Sequence, residues 1–299
     1  MKILITGANG YIGSVLMCAL EESHEVTGLV RHSQDSERSY RVIKDICAII
    51  AADVSGVDCV IHAAGIAEST AHGAELQRVN VEGAKAVASA CREAGVARLI
   101  NLSSVKAAGE SNVGPSLLDQ PTSAYGQSKL QAENEVNTVF EGSIARAVHL
   151  RFPLVYGSGV QNNFKKLIDL SGSKLPLPLA SLTAERSYCF VGNLIRLIEL
   201  ELATPTTESV VYVADSGPLT LPELLAGLSK VQGHQLRLMR FPKVVLELVV
   251  KLLKPSYATQ LFGDAVVDIS DTQKALPEWQ PISTLGALGY LEIGRDGRI

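Results

Sequence analysis

The chain has no apolar run of the roughly 20 residues needed to cross a bilayer. Its most apolar late stretch, Val244 to Leu253, is broken by Glu247 and Lys251 and reads as an amphipathic helix, with a peripheral membrane contact as an alternative that nothing in the sequence supports. Cysteine never occurs as C-x-x-C: Cys18, Cys47, Cys59, Cys91 and Cys189 lie far apart, most of them in apolar runs. That excludes a disulfide framework and points to buried free thiols in a reducing compartment. Basic excess is missing too. The net charge is −4 with both signs interspersed, so no nucleic-acid surface and no anionic-membrane surface is indicated. Repeats, low-complexity tracts and metal-ligating clusters are also lacking. The first residues already read as a strand, so no signal peptide is expected. These absences leave a cytoplasmic protein without a membrane span. At 299 residues it is long enough to bury a large core unaided.

What is present is an alternation of strands and helices. Lys2 to Thr6 is a short apolar strand, followed by the glycine-dense turn Gly7-Ala8-Asn9-Gly10-Tyr11-Ile12-Gly13 and then by Ile12, Leu16, Ala19 and Leu20 at helical spacing. Further strands are predicted at Val26–Val30, Tyr40–Ile43, Asp58–His62, Ala97–Leu102 and Ile144–Leu150. Between 47 and 54 there is room only for a clipped crossover. A long helix is predicted at Ala74–Ala94 and another at Ser123–Phe140. Such an order implies an α/β fold: a Rossmann-type, doubly wound parallel sheet with helices on both faces. After Arg151 the pattern loosens into a Pro-rich loop (Leu175 to Leu179), helices at 193–202, 221–231 and 243–253, and strands near 210–213 and 236–239. The expected division is a dinucleotide-binding domain over 1–160 and a smaller mixed substrate lobe over 161–299, some segments of which return to the sheet.

Strand, tight glycine turn and helix form the context of a dinucleotide fingerprint. Gly7 is suited to positive φ, Gly10 lacks a Cβ that would block a pyrophosphate, and Gly13 lets the helix sit close to the strand. In open parallel sheets, ligands bind beyond the carboxyl ends of the strands. Those ends deliver Arg31, Ala63-Ala64-Gly65, Ser103-Ser104 and Arg151-Phe152-Pro153. Tyr125 and Lys129 lie four apart on one helix face. A tyrosine with a pKa of about 10 is a poor acid or base near neutrality, and a nearby ammonium lowers it. A serine hydroxyl at Ser104 would orient the reacting oxygen.

Taken together, these segments resemble the extended short-chain dehydrogenases/reductases, in the nucleotide-sugar epimerase/dehydratase group. The matching pieces are residues 6–13, His62-Ala63-Ala64-Gly65, Asn80-Val81-Glu82-Gly83, Leu102-Ser103-Ser104, Tyr125-Gly126-Gln127-Ser128-Lys129, residues 151–157 and Arg186-Ser187-Tyr188. The resemblance implies that Tyr125 is the acid/base, that Lys129 holds the nicotinamide ribose and that Ser104 orients the substrate. It places Asp45-Ile46 beside the adenine and gives Asn163 and Arg186 to the diphosphate of a sugar nucleotide. Gly7, Gly10, Tyr11, Ile12, Gly13, Ser103 and Pro153 complete the expected cofactor contacts. Lys106, just past Ser104, either reaches the sugar or is solvated. Two departures stand out: Ala107-Ala108-Gly109 where the family has Val-Tyr-Gly, and Gly192-Asn193 where it has Asp-Asp. Residues 103–106, 162–164 and 175–179 look most similar to bacterial enzymes of surface-polysaccharide synthesis.

The expected activity is hydride transfer at C4 of a UDP-linked hexose or N-acetyl-deoxyhexose, as a 4-keto reductase or a 4-epimerase. The rival is a non-catalytic NAD(P)-sensing protein, which would have no use for the Tyr–Lys pair. A homodimer is compatible with this reading. For the cofactor, the second strand ends Thr27-Gly28-Leu29-Val30-Arg31, with no acid before Asp35. A carboxylate there would select NAD. Arg31, with His32 and Ser33, suits a 2′-phosphate instead, so NADP(H) is favoured over NAD(H). The alternative is that Arg31 stacks on the adenine and both cofactors bind.

Overall fold

A computed structural model describes residues 1–32, 38–67, 73–160, 162–253, 258 and 261–291. Two compact units emerge: one comprises residues 1–109, 117–151 and 197–212, the other 110–116, 152–196 and 213–299. The expected division at 160 therefore differs from the break between Arg151 and Phe152, and a later segment belongs with the first unit.

The first unit is built on a seven-stranded parallel sheet in the order β10-β6-β5-β4-β1-β2-β3. Its strands are β1 (Lys2–Thr6), β2 (Glu25–Val30), β3 (Tyr40–Val42), β4 (Cys59–His62), β5 (Arg98–Leu102), β6 (Arg146–Arg151) and β10 (Val210–Tyr212). The last comes from the 161–299 half, some segments of which were expected to return to the sheet. Val210, Val211 and Tyr212 pair in parallel with His149, Leu150 and Arg151, because β6 would otherwise leave an open edge. Ile3–Thr6 and all of β4 are buried, as a sheet covered on both faces requires. Side chains alternate: Leu4, Val60 and Leu99 share one core with Val87 and Cys91 of α3 (Gly83–Ala94) and Val136 of α4 (Ala124–Phe140). Strand order reverses between β1 and β4, so the crevice at their carboxyl ends is the switch point where ligands of such sheets bind. Between β3 and β4 the crossover shrinks to two short 3₁₀ turns, Ile46–Ala48 and Ala51–Val54.

The predicted long helix over 74–94 is not uniform. A short helix α2 (Gly73–Leu76) leads into a π-helical stretch, Gln77–Glu82, before α3. Its wide turn buries both Asn80 and Val81.

The second unit holds α5 (Asn162–Ser171), α7 (Leu221–Val231) and α8 (Lys243–Leu253), with the first residues of α6 (Val191–Ala203). Two-stranded pairs join β7 (Val155–Tyr156) to β9 (Cys189–Phe190) and β8 (Glu185–Arg186) to β11 (Leu219–Thr220). Segment 236–239 forms no regular strand, only a bridge from Leu238 to Leu177. At the centre, the buried Asp215 carboxylate accepts hydrogen bonds from Tyr156 (2.7 Å), Asn193 Nδ2 (2.8 Å), Thr284 (3.1 Å) and the Phe190 amide (2.6 Å). Trp279 Nε1 donates to the Asn193 carbonyl at 3.0 Å. Asn193, one of the two departures from the family pattern, is thus a buried structural hub.

Among the five cysteines, Cys59, Cys91 and Cys189 are buried as expected, whereas Cys18 is exposed. Among the described residues, no helix is long and apolar enough to cross a membrane.

Candidate active site

The glycine turn after β1 is shaped by close approach. Gly7 has φ +66°, and a Cβ there would lie 2.7 Å from the Ala64 Cα. A Cβ on Gly13 would lie 2.3 Å from the Gly7 carbonyl oxygen, so only glycine allows helix α1 (Tyr11–Leu20) to start against the turn. Gly10 is its N-cap and makes no side-chain cap bond; a Cβ there would meet only the Gly7 oxygen, at 3.2 Å. Ile12 and Tyr11, both half-buried, open the helix. A helix N-terminus without a capping side chain, behind a strand end at the switch point, fits the pyrophosphate of a dinucleotide.

Beside the glycine turn lie β2, β3 and the first 3₁₀ turn, the segments from which adenosine contacts are expected. Arg31 and His32 are exposed at the end of β2; Ser33 lies outside the described residues. Tyr40 covers Gly28: a Cβ at Gly28 would sit 2.6 Å from the ring. Asp45 caps its turn by accepting from the Cys47 amide at 3.1 Å, and its other oxygen forms an ion pair with Arg78. The Arg78 hydrogen bond, followed by that of the Cys47 amide, holds the Asp45 carboxyl below its usual range. Ile46 presses against Gly83, where a Cβ would lie 2.9 Å from its Cγ2.

The loop after β4 is tied from both sides. Thr6 Oγ1 accepts from the Ala64 amide at 3.1 Å and lies 2.8 Å from His62 Nδ1. Asn80, presented by the π turn, accepts from the Ile66 amide at 2.8 Å and donates to Ser128 Oγ at 3.2 Å. Ser128 in turn donates to the Tyr125 carbonyl at 2.8 Å. Ala63 and Ala64 are half-buried and Gly65 is exposed beside this tie.

Tyr125 and Lys129 occupy the first turns of α4, capped by Ser123, whose Oγ accepts from the Gly126 amide at 3.1 Å. Tyr125 is half-buried and Lys129 buried. A Cβ at Gly126 would lie 2.3 Å from the Lys106 carbonyl oxygen, so this glycine lets α4 start against the Ser104–Lys106 turn. Ser104 Oγ accepts from the Lys106 amide at 3.2 Å, which leaves its own hydrogen to donate. Lys129 Nζ donates to the Leu102 carbonyl at 2.8 Å, leaving two N–H donors directed elsewhere. Burial pulls the Lys129 pKa down to about 8, against the opposing pull of Glu133.

Behind this pair lies a buried ionic cluster that the sequence reading did not anticipate. Ser103 Oγ donates to Glu133, and Arg151 bonds the same carboxylate at 2.6 and 3.0 Å. Arg151 also grips Asp119 with two bonds of 2.7 Å and Tyr212 Oη at 2.9 Å. Burial opposes its charge, but Asp119 and Glu133 outweigh this and raise its pKa. The one sequence trace was the four-residue step from Lys129 to Glu133.

All these residues belong to the first unit. Pro153, Asn163 and Arg186 belong to the second. Pro153 is half-buried, and Asn163 is exposed on α5 with its Oδ1 accepting from Lys166 at 3.2 Å. Arg186 donates to the Gly263 carbonyl at 3.1 Å, its pKa lowered by burial. In the first unit, Lys106 is half-buried, and Ala107 and Ala108 are buried. A separate hollow of about 590 Å³ opens at the opposite edge of the sheet. There Arg98 caps α6 through the Glu201 and Leu202 carbonyls, both at 2.8 Å, so its charge already serves the helix end.

Residues 3–214 match the family model described as "NAD dependent epimerase/dehydratase family". A UDP-glucose 4-epimerase of Vibrio cholerae is 30% identical over 302 residues, covering 95% of this chain and 92% of the relative. Among solved structures, a UDP-N-acetylglucosamine 4-epimerase from Bacillus cereus aligns over 97% of both chains with TM-score 0.81 at 18% identity. A UDP-glucuronic acid 4-epimerase from Bacillus cereus, in complex with NAD, aligns over 97% of both chains with TM-score 0.77 at 21% identity. At that identity the likeness of the structures shows the fold.

Proposed function

Since the chain belongs to the NAD-dependent epimerase/dehydratase family, we propose that it transfers hydride at C4 of a UDP-linked hexose or N-acetyl-deoxyhexose, in the cytoplasm, for surface-polysaccharide synthesis. The observation that carries this reading is the approach at Gly126, which sets the first turn of α4 against the Ser104 turn at the edge that also bears the glycine turn. A bound nicotinamide dinucleotide supplies or accepts the hydride. Tyr125 holds the transferable proton at the sugar O4. The Lys129 ammonium favours the phenolate and uses a second donor on a ribose hydroxyl. Ser104 donates a hydrogen bond to the same sugar oxygen and fixes its direction. Asn163 and Arg186 suit the diphosphate, Lys106 the sugar.

The test is turnover of UDP-hexoses and their 4-keto derivatives, followed by NMR of the products. Tyr125→Phe keeps the ring and removes the proton, so turnover should fall by roughly 10²–10⁴-fold with dinucleotide affinity little changed. A wild type that binds dinucleotide but turns over none of these sugars supports the sensor reading instead.

For direction, the exposed Arg31 at the end of β2 favours NADP(H), hence a dissociable cofactor and a net 4-keto reductase. Arg31→Asp should invert the ratio of NADPH to NADH dissociation constants. The second reading, a 4-epimerase, is favoured by the Vibrio cholerae relative. It requires tighter binding of NADH than NADPH by the wild type and NAD retained through purification.

A further inference from the structure

Helix α8 carries an apolar face that the second unit does not cover. Val244, Leu248 and Leu252 are 78%, 58% and 74% exposed, and Val245 and Val249 are exposed beside them. At about 100° per residue these five fall within one arc of roughly 140°. Leu246 and Val250 lie outside that arc and are half-buried. The helix therefore already has an inward face, and the exposed apolar arc is a second one. Lys243, Glu247 and Lys251 fill the polar sector between them.

The segment leading into the helix extends the surface. Its backbone is laced to the Pro-rich loop: the Leu177 amide donates to the Arg237 carbonyl and the Met239 amide to the Leu177 carbonyl, both at 2.8 Å. The Phe241 amide donates to Ser181 Oγ at 3.1 Å. This holds Met239 and Phe241 exposed, so the apolar surface is an ordered one.

Charge identifies what suits this surface. Between Arg237 and Leu253 the sequence has four basic residues (Arg237, Arg240, Lys243, Lys251) and one acid, in a chain whose net charge is −4. The acid, Glu247, is paired with Lys251 at 2.7 Å. A protein partner of ordinary composition has no need of such a local reversal. A second copy of this chain would set the same cations against each other across a two-fold axis. An anionic bilayer surface satisfies both features: acyl chains take the apolar arc, and headgroup phosphates take the arginines and lysines. At 11 residues the helix is about 16 Å long, half the hydrocarbon thickness of about 30 Å, so it lies in the interface. We propose that α8 and the 237–241 segment form a reversible docking surface for membranes containing anionic lipid. Net charge gave no sign of such a surface, because the cations are local and vanish in it.

The experiment is co-sedimentation of the full chain with phosphatidylcholine vesicles, with and without phosphatidylglycerol, at low and high salt. Binding is expected to the anionic vesicles and to weaken with salt. Leu248→Asp/Leu252→Asp and, separately, Arg240→Glu/Lys243→Glu should each weaken it roughly tenfold or more, with unchanged thermal unfolding showing that both remain folded. No sedimentation with anionic vesicles would overturn the proposal. So would equal binding to neutral vesicles, or equal binding by the folded variants. A wild-type dimer in ultracentrifugation that the leucine variant converts to monomer, without vesicle binding, would assign the surface to a second copy and overturn it too.

Discussion

Gly126 is the residue whose change should separate folding from chemistry most cleanly. It lies one position after Tyr125, and a methyl group there meets the Lys106 carbonyl at 2.3 Å. Because both atoms belong to backbone-fixed segments, Gly126→Ala must push the start of α4 away from the Ser104 turn. Misplacement of this order costs about 10²-fold in rate. We expect that loss in kcat with nearly unchanged dinucleotide binding; a variant of full activity would show that the two segments need not touch. Lys129 makes a pH statement as well. Its folded pKa of about 8 lies below the ordinary 10.5, so the ammonium that supports the Tyr125 phenolate is lost as pH rises through about 8. Turnover should decline above that value. The unfolded chain binds the extra proton between about 8 and 10.5, so this group adds stability as pH rises through the same window. Lys129→Met should abolish the stability increment and damage both turnover and cofactor binding. The glycines of the fingerprint were legible because the positive φ of Gly7 and the approach of Gly13 to the Gly7 carbonyl are local, although Gly7 also abuts the distant Ala64. Gly126 was legible only as part of a motif, since what it touches is some 20 residues away in sequence.

Elements meet at the Glu133–Arg151 cluster, which joins α4 to the ends of β5 and β6 through Ser103 and Arg151. Both charged side chains are almost fully buried, at 2% and 3% exposure, so the cluster is favourable only while every partner stays. Arg151→Met strands Glu133 in the interior, and breaking a buried pair on one side costs about 3–5 kcal/mol. We expect a loss of that size in urea unfolding, with a smaller loss for the double variant Arg151→Met/Glu133→Leu, which leaves no fully buried charge orphaned and strands only the partly exposed Asp119. Additive losses would show that the pair is not coupled. Beyond the step from Lys129 to Glu133 and the place of Arg151 at a strand end, the cluster could not be read from the sequence, because Asp119, Glu133, Arg151 and Tyr212 lie on four separate segments. The π turn is different. Its mark is in the burial pattern, where the step from the buried Leu76 to the buried Val81 is five residues, longer than one α-helical turn. That step marks the wide turn at Gln77–Glu82, which frees Asn80 to hold the loop after β4. Alternation of strands and helices likewise marked the sheet, and a return of later segments to it was expected, but three apolar residues at β10 do not say which edge they join.

On the scale of the whole molecule, two buried histidines lie in the first unit, partly offset there by the Glu201 carboxyl that burial raises, and the buried Asp215 lies in the second. In the first, burial lowers His62 to about 3 and His149 to about 4, from an ordinary 6.5. Both imidazoles are bonded in the neutral form: His149 lies 2.9 Å from Asn101 Nδ2 and 3.0 Å from Asn137 Oδ1. The unfolded chain takes up their protons first, so stability is complete above pH 6.5 and falls as pH drops toward 4. At about 1.4 kcal/mol per pKa unit, His149 alone withdraws about 3 kcal/mol over that window. In the second unit, burial raises the Asp215 carboxyl, so the folded form binds its proton first and this group favours folding as pH falls. Acidification from 6.5 toward 5 should therefore weaken the first unit before the second. The single tryptophan, Trp279, is fully buried in the second unit and reports on it alone, whereas far-UV ellipticity reports on both. We expect the ellipticity midpoint to fall below the fluorescence midpoint as the solution is acidified, and His149→Gln to narrow the gap. Fluorescence and ellipticity that shift together, by equal amounts, at every pH would show that the units unfold as one and that the histidines do not set the acid limit.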